Sequence, residues 1–169
     1  MAERSSTSRT PAIRVRGAAL SDLDALMELE QQVFATDRMS RRSLRHFLRA
    51  PTARVIVAEI GGELAGTATL LFRPKSAVGR LYSIAVVPAM AGRGVASELL
   101  SEAERIASGH GCTQIRLEVH ASNHRAIARY YKSGYREFGR MERYYEDGGD
   151  ALRLYKQLQV GTAGPVAAK

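Results

Sequence analysis

Two stretches of the sequence combine residue types that could do chemistry. In the first, an apolar run ends at Pro88, and three small residues, Gly92, Gly94 and Ala96, then lead into an amphipathic helical pattern. Small residues let the backbone approach a ligand closely, and the amides at a helix N-terminus attract anions. The turn therefore predicts a site for a phosphate-bearing ligand, with the backbone amides of residues 92–97 as donors.

The second stretch, LEVHASNHRAIARYYKSGY at 117–135, holds a carboxylate, an imidazole and a phenol. Groups of these three kinds can take or donate protons in catalysis. Glu118 or His120 could act as a general base, and Tyr130 could act as a general acid. The structural alternatives are a salt bridge, a surface histidine and a buried aromatic anchor.

A dinucleotide is the first phosphate ligand to consider, since Glu118 lies about 20 residues beyond the turn, where an acidic ribose partner is expected. However, Ser97 stands where G-x-G-x-x-G requires its third glycine. The turn also follows a predicted hairpin and does not open a βαβ unit. A phosphate loop of the G-x-x-x-x-G-K-[ST] type is absent from the sequence. Coenzyme A is the second candidate.

The pattern V-x-P-x-x-x-G-x-G-x-[GA], beginning at Val86, resembles the acetyl-CoA signature of the Gcn5-related N-acetyltransferase (GNAT) superfamily. The stretch 117–135 resembles the last signature of the same superfamily, and residues 13–157 resemble its bacterial ribosomal-protein-alanine N-acetyltransferases. The resemblance implies an α/β fold with a mixed, mostly antiparallel central sheet flanked by helices. It also implies direct transfer of an acetyl group from acetyl-CoA to an amine, without a metal.

The resemblance implies roles for the residues that match these signatures. Glu118 would be the general base, with His120 in second place, and Tyr130 would be the general acid. Ala91 departs from the Gln or Arg that the superfamily prefers, so we expect modestly weaker coenzyme binding. The residues expected to contact the coenzyme are Ile84, Ala85, Val86, Gly92, Arg93, Gly94, Val95, Ala96, Ser97 and Asn123.

The acceptor amine is expected to contact the segments that vary within the family. The stretch MERYYEDGGDALRL at 141–154 again resembles the ribosomal-protein enzymes. An N-terminal α-amine is also about 2.4 pKa units easier to deprotonate than a lysine. A protein or peptide N-terminus, such as that of a ribosomal protein, is therefore the first expectation, with Phe34, Arg38 and Tyr144 as candidate contacts. A small amine, a lysine side chain, a non-catalytic acetyl-CoA-binding regulatory module and an RNA-binding protein are the alternatives.

Hydrophobic patterning predicts the element order β-α-α-β-β-β-α-β-α-β-β. Gly61-Gly62 predicts a tight hairpin between two strands, at 54–60 and 63–72. Ser21 is expected to cap the first helix, with Asp24 in a capping box, and Ser40 to cap the second. Further helices are expected from Val95 to Ser108 and over 123–133. The remaining strands are predicted near 12–16, 80–87, 113–119, 135–140 and 150–157.

Composition indicates a globular protein, and its positive charge fits either an anionic partner or a solvated helix face, between which charge alone does not choose. Residues 11–160 are predicted to form one acetyltransferase domain, with disordered ends at 1–10 and 161–169. The chain has 45% hydrophobic residues and a net charge of +8, part of it in SRRSLRHFLR at 40–49. Neither a secretory signal nor a membrane span is predicted. The single cysteine, Cys112, is expected to be buried, without disulfide or metal cluster, in a cytoplasmic protein. We expect no DNA partner, and a monomer or homodimer.

Overall fold

The structure, a computed structural model, describes residues 11–159. Its seven strands are β1 (Ile13–Gly17), β2 (Ala53–Ile60), β3 (Glu63–Phe72), β4 (Val78–Val86), β5 (Gln114–His120), β6 (Arg136–Met141) and β7 (Ala151–Gln157). Its helices are α1 (Leu23–Val33), α2 (Arg41–Arg49), α3 (Val95–Gly109) and α4 (His124–Lys132). The strands form one sheet in the order β1-β2-β3-β4-β5-β7-β6. The predicted element order and the α/β class with a mixed sheet are confirmed.

The sheet is covered on both faces because its central strands are apolar on both sides. Ile56 and Ala58 belong to a cluster with Leu99 and Leu100 of α3, whereas the alternate residues Val55 and Val57 pack with α1 and α2. Alternate residues of a strand point to opposite faces, so one strand serves two cores. Each fully buried leucine of this kind contributes about 1.5–3 kcal/mol. The predicted hairpin is confirmed, with Gly61 at φ 59° and Gly62 at φ 81°.

The sheet opens between β4 and β5, which form its only parallel pair among residues 11–159. Their pairing runs from Val78–Gln114 to Leu81–Leu117 and then stops. On the β3 side, Thr69 faces Ser83 while Leu70 faces Leu81, so Tyr82 is an extra residue in β4. A bulge of this kind bends the strand that carries it. The C-terminal halves of β4 and β5 therefore flank an opening in the sheet.

The start of α1 differs from the prediction. Residues 20–22 form a short 3-10 turn, and the carboxylate of Asp22 accepts a hydrogen bond from the amide of Ala19 at 2.7 Å. Arg16 of β1 holds Asp22 at 2.9 Å, and this hydrogen bond lowers the pKa of the Asp22 carboxyl. Ser21 is therefore not the cap, and Asp24 pairs instead with Arg41 of α2 at 2.6 Å. The partner that holds Asp22 lies six residues earlier, in the strand that precedes the turn.

The other predicted elements lie within a few residues of their observed bounds. Ser40 caps α2 as predicted, its hydroxyl accepting from the amide of Ser43 at 3.1 Å. Cys112 is buried, as predicted. The predicted disordered ends, 1–10 and 161–169, lie outside the described residues. Within residues 11–159, the helices are too short or too polar to cross a membrane.

Candidate active site

The opening between β4 and β5 forms the base of a cavity of about 1120 Å³. Its walls are the end of α1 with the loop that follows, the turn before α3, one side of α4 and the β6–β7 loop. Arg93 is exposed and does not line the cavity. The other predicted site residues all do: Phe34, Arg38, Ile84, Ala85, Val86, Gly92, Gly94, Val95, Ala96, Ser97, Glu118, Asn123, Tyr130 and Tyr144.

The turn before α3 requires its glycines for their backbone conformation. Gly92 has φ 79° and Gly94, the N-cap of α3, has φ 85°, both in the left-handed region that disfavours other residues. A Cβ at either position would meet no protein atom within 4 Å, so crowding inside the chain is not the reason. Ala96 was expected to be small for the sake of a ligand, but its side chain is buried, with 6% of the residue exposed.

The same turn presents a run of amides without protein partners. Ala91 donates to Pro88 at 3.2 Å and Glu98 to Gly94 at 3.1 Å, but no amide of residues 92–97 donates a hydrogen bond within the described chain. These amides include the first N–H groups of α3, at the positive end of the helix dipole. The turn therefore presents the kind of amide donors that an anion would require, on the cavity wall.

Tyr130 is a protonated phenol on the cavity wall. Only 6% of the residue is exposed, and burial raises the pKa of its hydroxyl to about 12, so the hydroxyl keeps its proton at neutral pH. The ring packs edge-on against Tyr135 with centroids 5.4 Å apart. Tyr131, the next residue, is 46% exposed and does not line the cavity. Asn123 caps α4, its side chain accepting from the amide of Ala126 at 3.2 Å.

Glu118 forms the salt bridge that was the structural alternative to a catalytic role. Its carboxylate lies 3.2 Å from the Arg80 guanidinium and 3.9 Å from that of Arg153, and its side chain is 13% exposed. Glu118 also belongs to the cavity lining. The two arginines therefore fix its orientation, and a contact with a bound amine is compatible with the ion pair.

His120 is engaged through both ring nitrogens. Nδ1 accepts from the Ser122 amide at 3.1 Å, Nε2 lies 2.9 Å from the Asp147 carboxylate, and the ring stacks on Tyr145 at 4.9 Å. The Gly149 amide, with His120 second, lowers the pKa of the Asp147 carboxyl. His120 thus has no free nitrogen for a proton from an acceptor, and it ties β5 to the β6–β7 loop.

Two loops meet across the mouth of the cavity. The carboxylates of Asp37 and Glu146 each accept from the other residue's backbone amide at 3.3 Å. Arg80 joins the base of the cavity to this loop, because it contacts Glu118 and also donates to the Tyr144 hydroxyl at 3.0 Å. Sequence reasoning missed Arg80, Asp37 and Glu146, since no local pattern distinguishes them from other surface charges.

Glu30 is a further residue of the cavity wall that sequence reasoning missed. Only 2% of the residue is exposed, and its Oε2 accepts from the Met39 amide at 3.0 Å. Its Oε1 has no hydrogen-bond partner within the described chain, and burial raises the pKa of the carboxyl. The available signal was a glutamate in register with Leu23 and Leu26 on the apolar side of α1.

Comparisons with known proteins agree with this geometry. The acetyltransferase (GNAT) family matches residues 21–135. The chain belongs to this family. It is 33% identical over 144 residues to an uncharacterised N-acetyltransferase of Methanocaldococcus jannaschii, a match that covers 85% of this chain and 90% of that protein. This GNAT chain is also 31% identical over 152 residues to the N-alpha-acetyltransferase RimI of Mycobacterium tuberculosis, covering 88% of this chain and 94% of the relative.

Solved structures show the same fold. The crystal structure of the ribosomal-protein-alanine N-acetyltransferase of Escherichia coli matches with a TM-score of 0.78 and 25% identity, over 94% of this chain and 100% of that one. Ard1 of Thermoplasma volcanium matches with a TM-score of 0.80 at 20% identity, covering 88% of this chain and 99% of that one. Family and relatives identify an N-acetyltransferase with a GNAT fold, and the resemblance inferred from the signatures is confirmed.

Proposed function

We propose that this enzyme transfers the acetyl group of acetyl-CoA to the N-terminal α-amine of a protein or peptide. One observation carries the proposal. A single cavity is lined by Gly92 and residues 94–97 with their free amides, by the open edge of β4 and by Tyr130. These are the parts that a phosphate-bearing thioester needs: an anion site, a strand edge for its amide arm and an acid for its sulfur.

The coenzyme would lie along one side of the cavity. The amides of residues 92–97 would hold its pyrophosphate, and Arg125 and Arg129, which also line the cavity, would add positive charge. Residues 84–86 of β4 have no β5 partner, so their backbone groups are available to the amides of the pantetheine arm. Ala91 would add no side-chain contact to the coenzyme, so we still expect modestly weaker coenzyme binding.

The reaction we propose is direct transfer. The neutral amine attacks the thioester carbonyl carbon, so a C–N bond forms and the C–S bond breaks. Glu118 takes the proton that the amine releases, directly or through water, and Tyr130 gives its proton to the departing sulfur. Burial keeps Tyr130 protonated at neutral pH, and the same raised pKa makes its hydroxyl a weaker acid toward the thiolate than a free phenol would be. Solvent then restores the Tyr130 proton.

The choice of an α-amine rests on chemistry and on relatives. An α-amine has a pKa near 8 against about 10.4 for lysine, so a modest base suffices. The relative from Mycobacterium tuberculosis is named an N-alpha-acetyltransferase, and the Escherichia coli structure is named for a ribosomal-protein alanine. Phe34, Arg38 and Tyr144 would contact the acceptor. A ribosomal acceptor would place the enzyme in the cytoplasm.

The test is to locate the nitrogen that is acetylated. We would incubate the purified enzyme with acetyl-CoA and paired synthetic peptides, one with a free N-terminus and one with a blocked N-terminus and a free lysine. Mass spectrometry should show acetylation of the α-amine only. Modification confined to lysine would contradict the acceptor class. Coenzyme binding by calorimetry without any acetylated product would indicate a non-catalytic binding module.

A further inference from the structure

Helix α2 carries a strip of positive charge that the acetyltransferase cavity does not use. Arg41, Arg42, Arg45 and Arg49 are all exposed, and the helix RRSLRHFLR contains no acidic residue. At about 100° per residue, these four positions fall within about 100° around the helix axis, and at about 1.5 Å per residue they extend over about 12 Å. We call these four residues the arginine strip.

The other side of α2 holds the strip in place. Leu44 is buried, and Phe47 and Leu48 pack against the cluster that contains Val55 and Val57 of β2. The helix is therefore fixed to the sheet by its apolar side, while the strip faces outward. The strip is a rigid part of the surface.

Most of this charge has no partner in the described chain. Arg41 pairs with Asp24 at 2.6 Å, but none of the ion pairs within residues 11–159 involves Arg42, Arg45 or Arg49. Arg41 and Arg42 also occupy the first turn, at the positive end of the helix dipole, where cations are unfavourable. Helix stability therefore does not account for Arg41 and Arg42, whereas Arg49 lies in the last turn, where the dipole favours a cation.

We propose that the arginine strip binds the phosphodiester backbone of a nucleic acid without reading its bases. Guanidinium groups match phosphate oxygens in bidentate geometry. A protein partner would need an apolar centre to its interface. The strip itself contains no exposed large apolar side chain, since those of the described chain are Leu20, Tyr82, Tyr131, Phe138, Met141 and Tyr144. A surface of charge alone suits phosphate contacts, which position a nucleic acid without specifying sequence.

The position of α2 favours RNA as the source of these phosphates. Phe47 of α2 packs edge-on against Tyr82 with centroids 5.4 Å apart, and Tyr82 lines the cavity. A nucleic acid on the strip would therefore lie on the other side of α2 from the cavity, one helix diameter (about 10–12 Å) away. RNA is the nucleic acid that accompanies a ribosomal acceptor, and this choice of source rests on the proposed function. The proposal that the strip binds phosphates does not depend on the proposed function.

The experiment measures binding of labelled single-stranded RNA, and of DNA of the same sequence, by fluorescence anisotropy over a range of salt concentrations. The strip variant is Arg42→Ala/Arg45→Ala/Arg49→Ala. The matched control, Arg105→Ala/Lys132→Ala/Arg136→Ala, removes the same charge from exposed positions on α3, α4 and β6. At about 0.7 per phosphate contact, the salt slope of the strip variant should fall by about 2. Its affinity at low salt should fall at least tenfold, and the control should stay close to the unmodified chain.

Three results would contradict the proposal that the strip binds nucleic acid. These are no RNA binding by the unmodified chain at low salt, equal losses of RNA affinity in the two variants, or competition by polyglutamate as strong as that by RNA of equal charge. The last would indicate an acidic polypeptide as the partner. Tighter binding of DNA than of RNA would contradict the choice of RNA as the partner, but it would still support binding of a nucleic acid backbone by the strip. Acetylation of a free peptide should be unchanged in both variants. A failure of RNA binding with intact acetylation therefore contradicts this inference alone, and not the proposed function.

Discussion

At the scale of single residues, Tyr130 and Tyr131 are chain neighbours in opposite environments. Tyr130 is buried and lines the cavity, whereas Tyr131 is 46% exposed on another side of α4. If Tyr130 protonates the sulfur, Tyr130→Phe should lower kcat by about 100-fold or more, the usual size of a lost general acid. Acetyl-CoA affinity, measured by calorimetry, should change little.

Tyr131→Phe is the matched control for this prediction, because it removes the same hydroxyl from the same helix one residue away. Its kcat should equal that of the unmodified enzyme. Equal kcat values for the Tyr130→Phe variant and the unmodified enzyme would exclude Tyr130 as the acid. Glu118→Gln belongs to the same experiment and should also lower kcat, again with the coenzyme still bound.

The pKa of Tyr130 also predicts how the stability of the protein depends on alkaline pH. Its value is raised to about 12 in the folded chain, whereas an unfolded tyrosine ionises near 10. A raised pKa stabilises the fold fully below pH 10, and this contribution is lost as the pH rises towards the folded value. Between pH 9 and pH 11 the unmodified chain should lose about 1.4 kcal/mol more unfolding free energy than Tyr130→Phe. Urea titrations at both pH values measure this difference, and equal losses would contradict the burial of the hydroxyl.

At the scale of elements, the start of α3 depends on the left-handed conformation of one residue. Gly94 has φ 85°, and a Cβ at this position would have no neighbouring atom within 4 Å, so Gly94→Ala introduces strain without a clash. We expect a loss of about 1–2 kcal/mol in unfolding free energy. We also expect several-fold weaker binding of acetyl-CoA, because the amides of the turn would change direction.

Gly109 offers the control at the other end of the same helix. It has an ordinary φ and open space around its Cβ position, so Gly109→Ala should leave coenzyme affinity unchanged. Thermal unfolding and calorimetry on both variants make the comparison. Equal coenzyme affinity in the two variants would show that the turn does not hold the pyrophosphate.

Glu30 of α1, whose carboxylate accepts from the amide of Met39 in the loop after the helix, predicts a second effect of pH on stability. Burial raises the pKa of Glu30, so the folded chain holds this proton more tightly than the unfolded chain. The stabilising contribution is greatest at acidic pH, below the ordinary carboxyl pKa, and is lost as the pH rises through the raised value. Glu30→Gln should therefore gain unfolding free energy relative to the unmodified chain as the pH increases from 4 to 8.

Glu28→Gln is the control on the same helix, since Glu28 is exposed. The unfolding free energy of Glu28→Gln relative to the unmodified chain should not rise with pH as that of Glu30→Gln does. Chemical denaturation at a series of pH values supplies both curves. Parallel curves for Glu30→Gln and Glu28→Gln would contradict a buried Glu30 carboxyl with a raised pKa.

At the scale of the whole molecule, the site exists because α3 lies very close to the sheet beside the opening. Gly66 of β3 permits this approach, since a Cβ there would lie 2.8 Å from the Ala85 carbonyl oxygen and 2.9 Å from a Val95 methyl. Gly66→Ala must displace β4 or the start of α3, at a cost of about 1–3 kcal/mol. Because both elements line the cavity, acetyl-CoA affinity should fall together with stability.

Gly17→Ala is the control for this substitution, because Gly17 lies in β1 with open space around its Cβ position. Stability and coenzyme affinity should both stay near those of the unmodified chain. A Gly66→Ala variant that is destabilised but binds acetyl-CoA normally would contradict the prediction, because it would show that the geometry of the site does not depend on the close packing of α3.

Local patterns in the sequence were enough to predict the elements and part of the site. Glycines at 61, 62, 92 and 94 mark turns because few other residues adopt their backbone conformation. Alternation and helical periodicity predict the strands and helices, since they follow from the geometry of each element. Asn123 and Tyr130 belong to the last signature, so the resemblance to the family, together with helical spacing, predicted their place on α4.

Only the tertiary structure decided which charges meet. Asp37 and Glu146, which hydrogen-bond to each other at the mouth of the cavity, are 109 positions apart in the chain. Arg80 and Glu118, which also contact each other, are 38 positions apart. Asp147 accepts from the Nε2–H of His120 across 27 positions and ties its ring to the β6–β7 loop. Local sequence determines backbone conformation through short-range steric contacts. Burial and ion pairing depend on residues far apart in the chain, which only the folded sheet brings together.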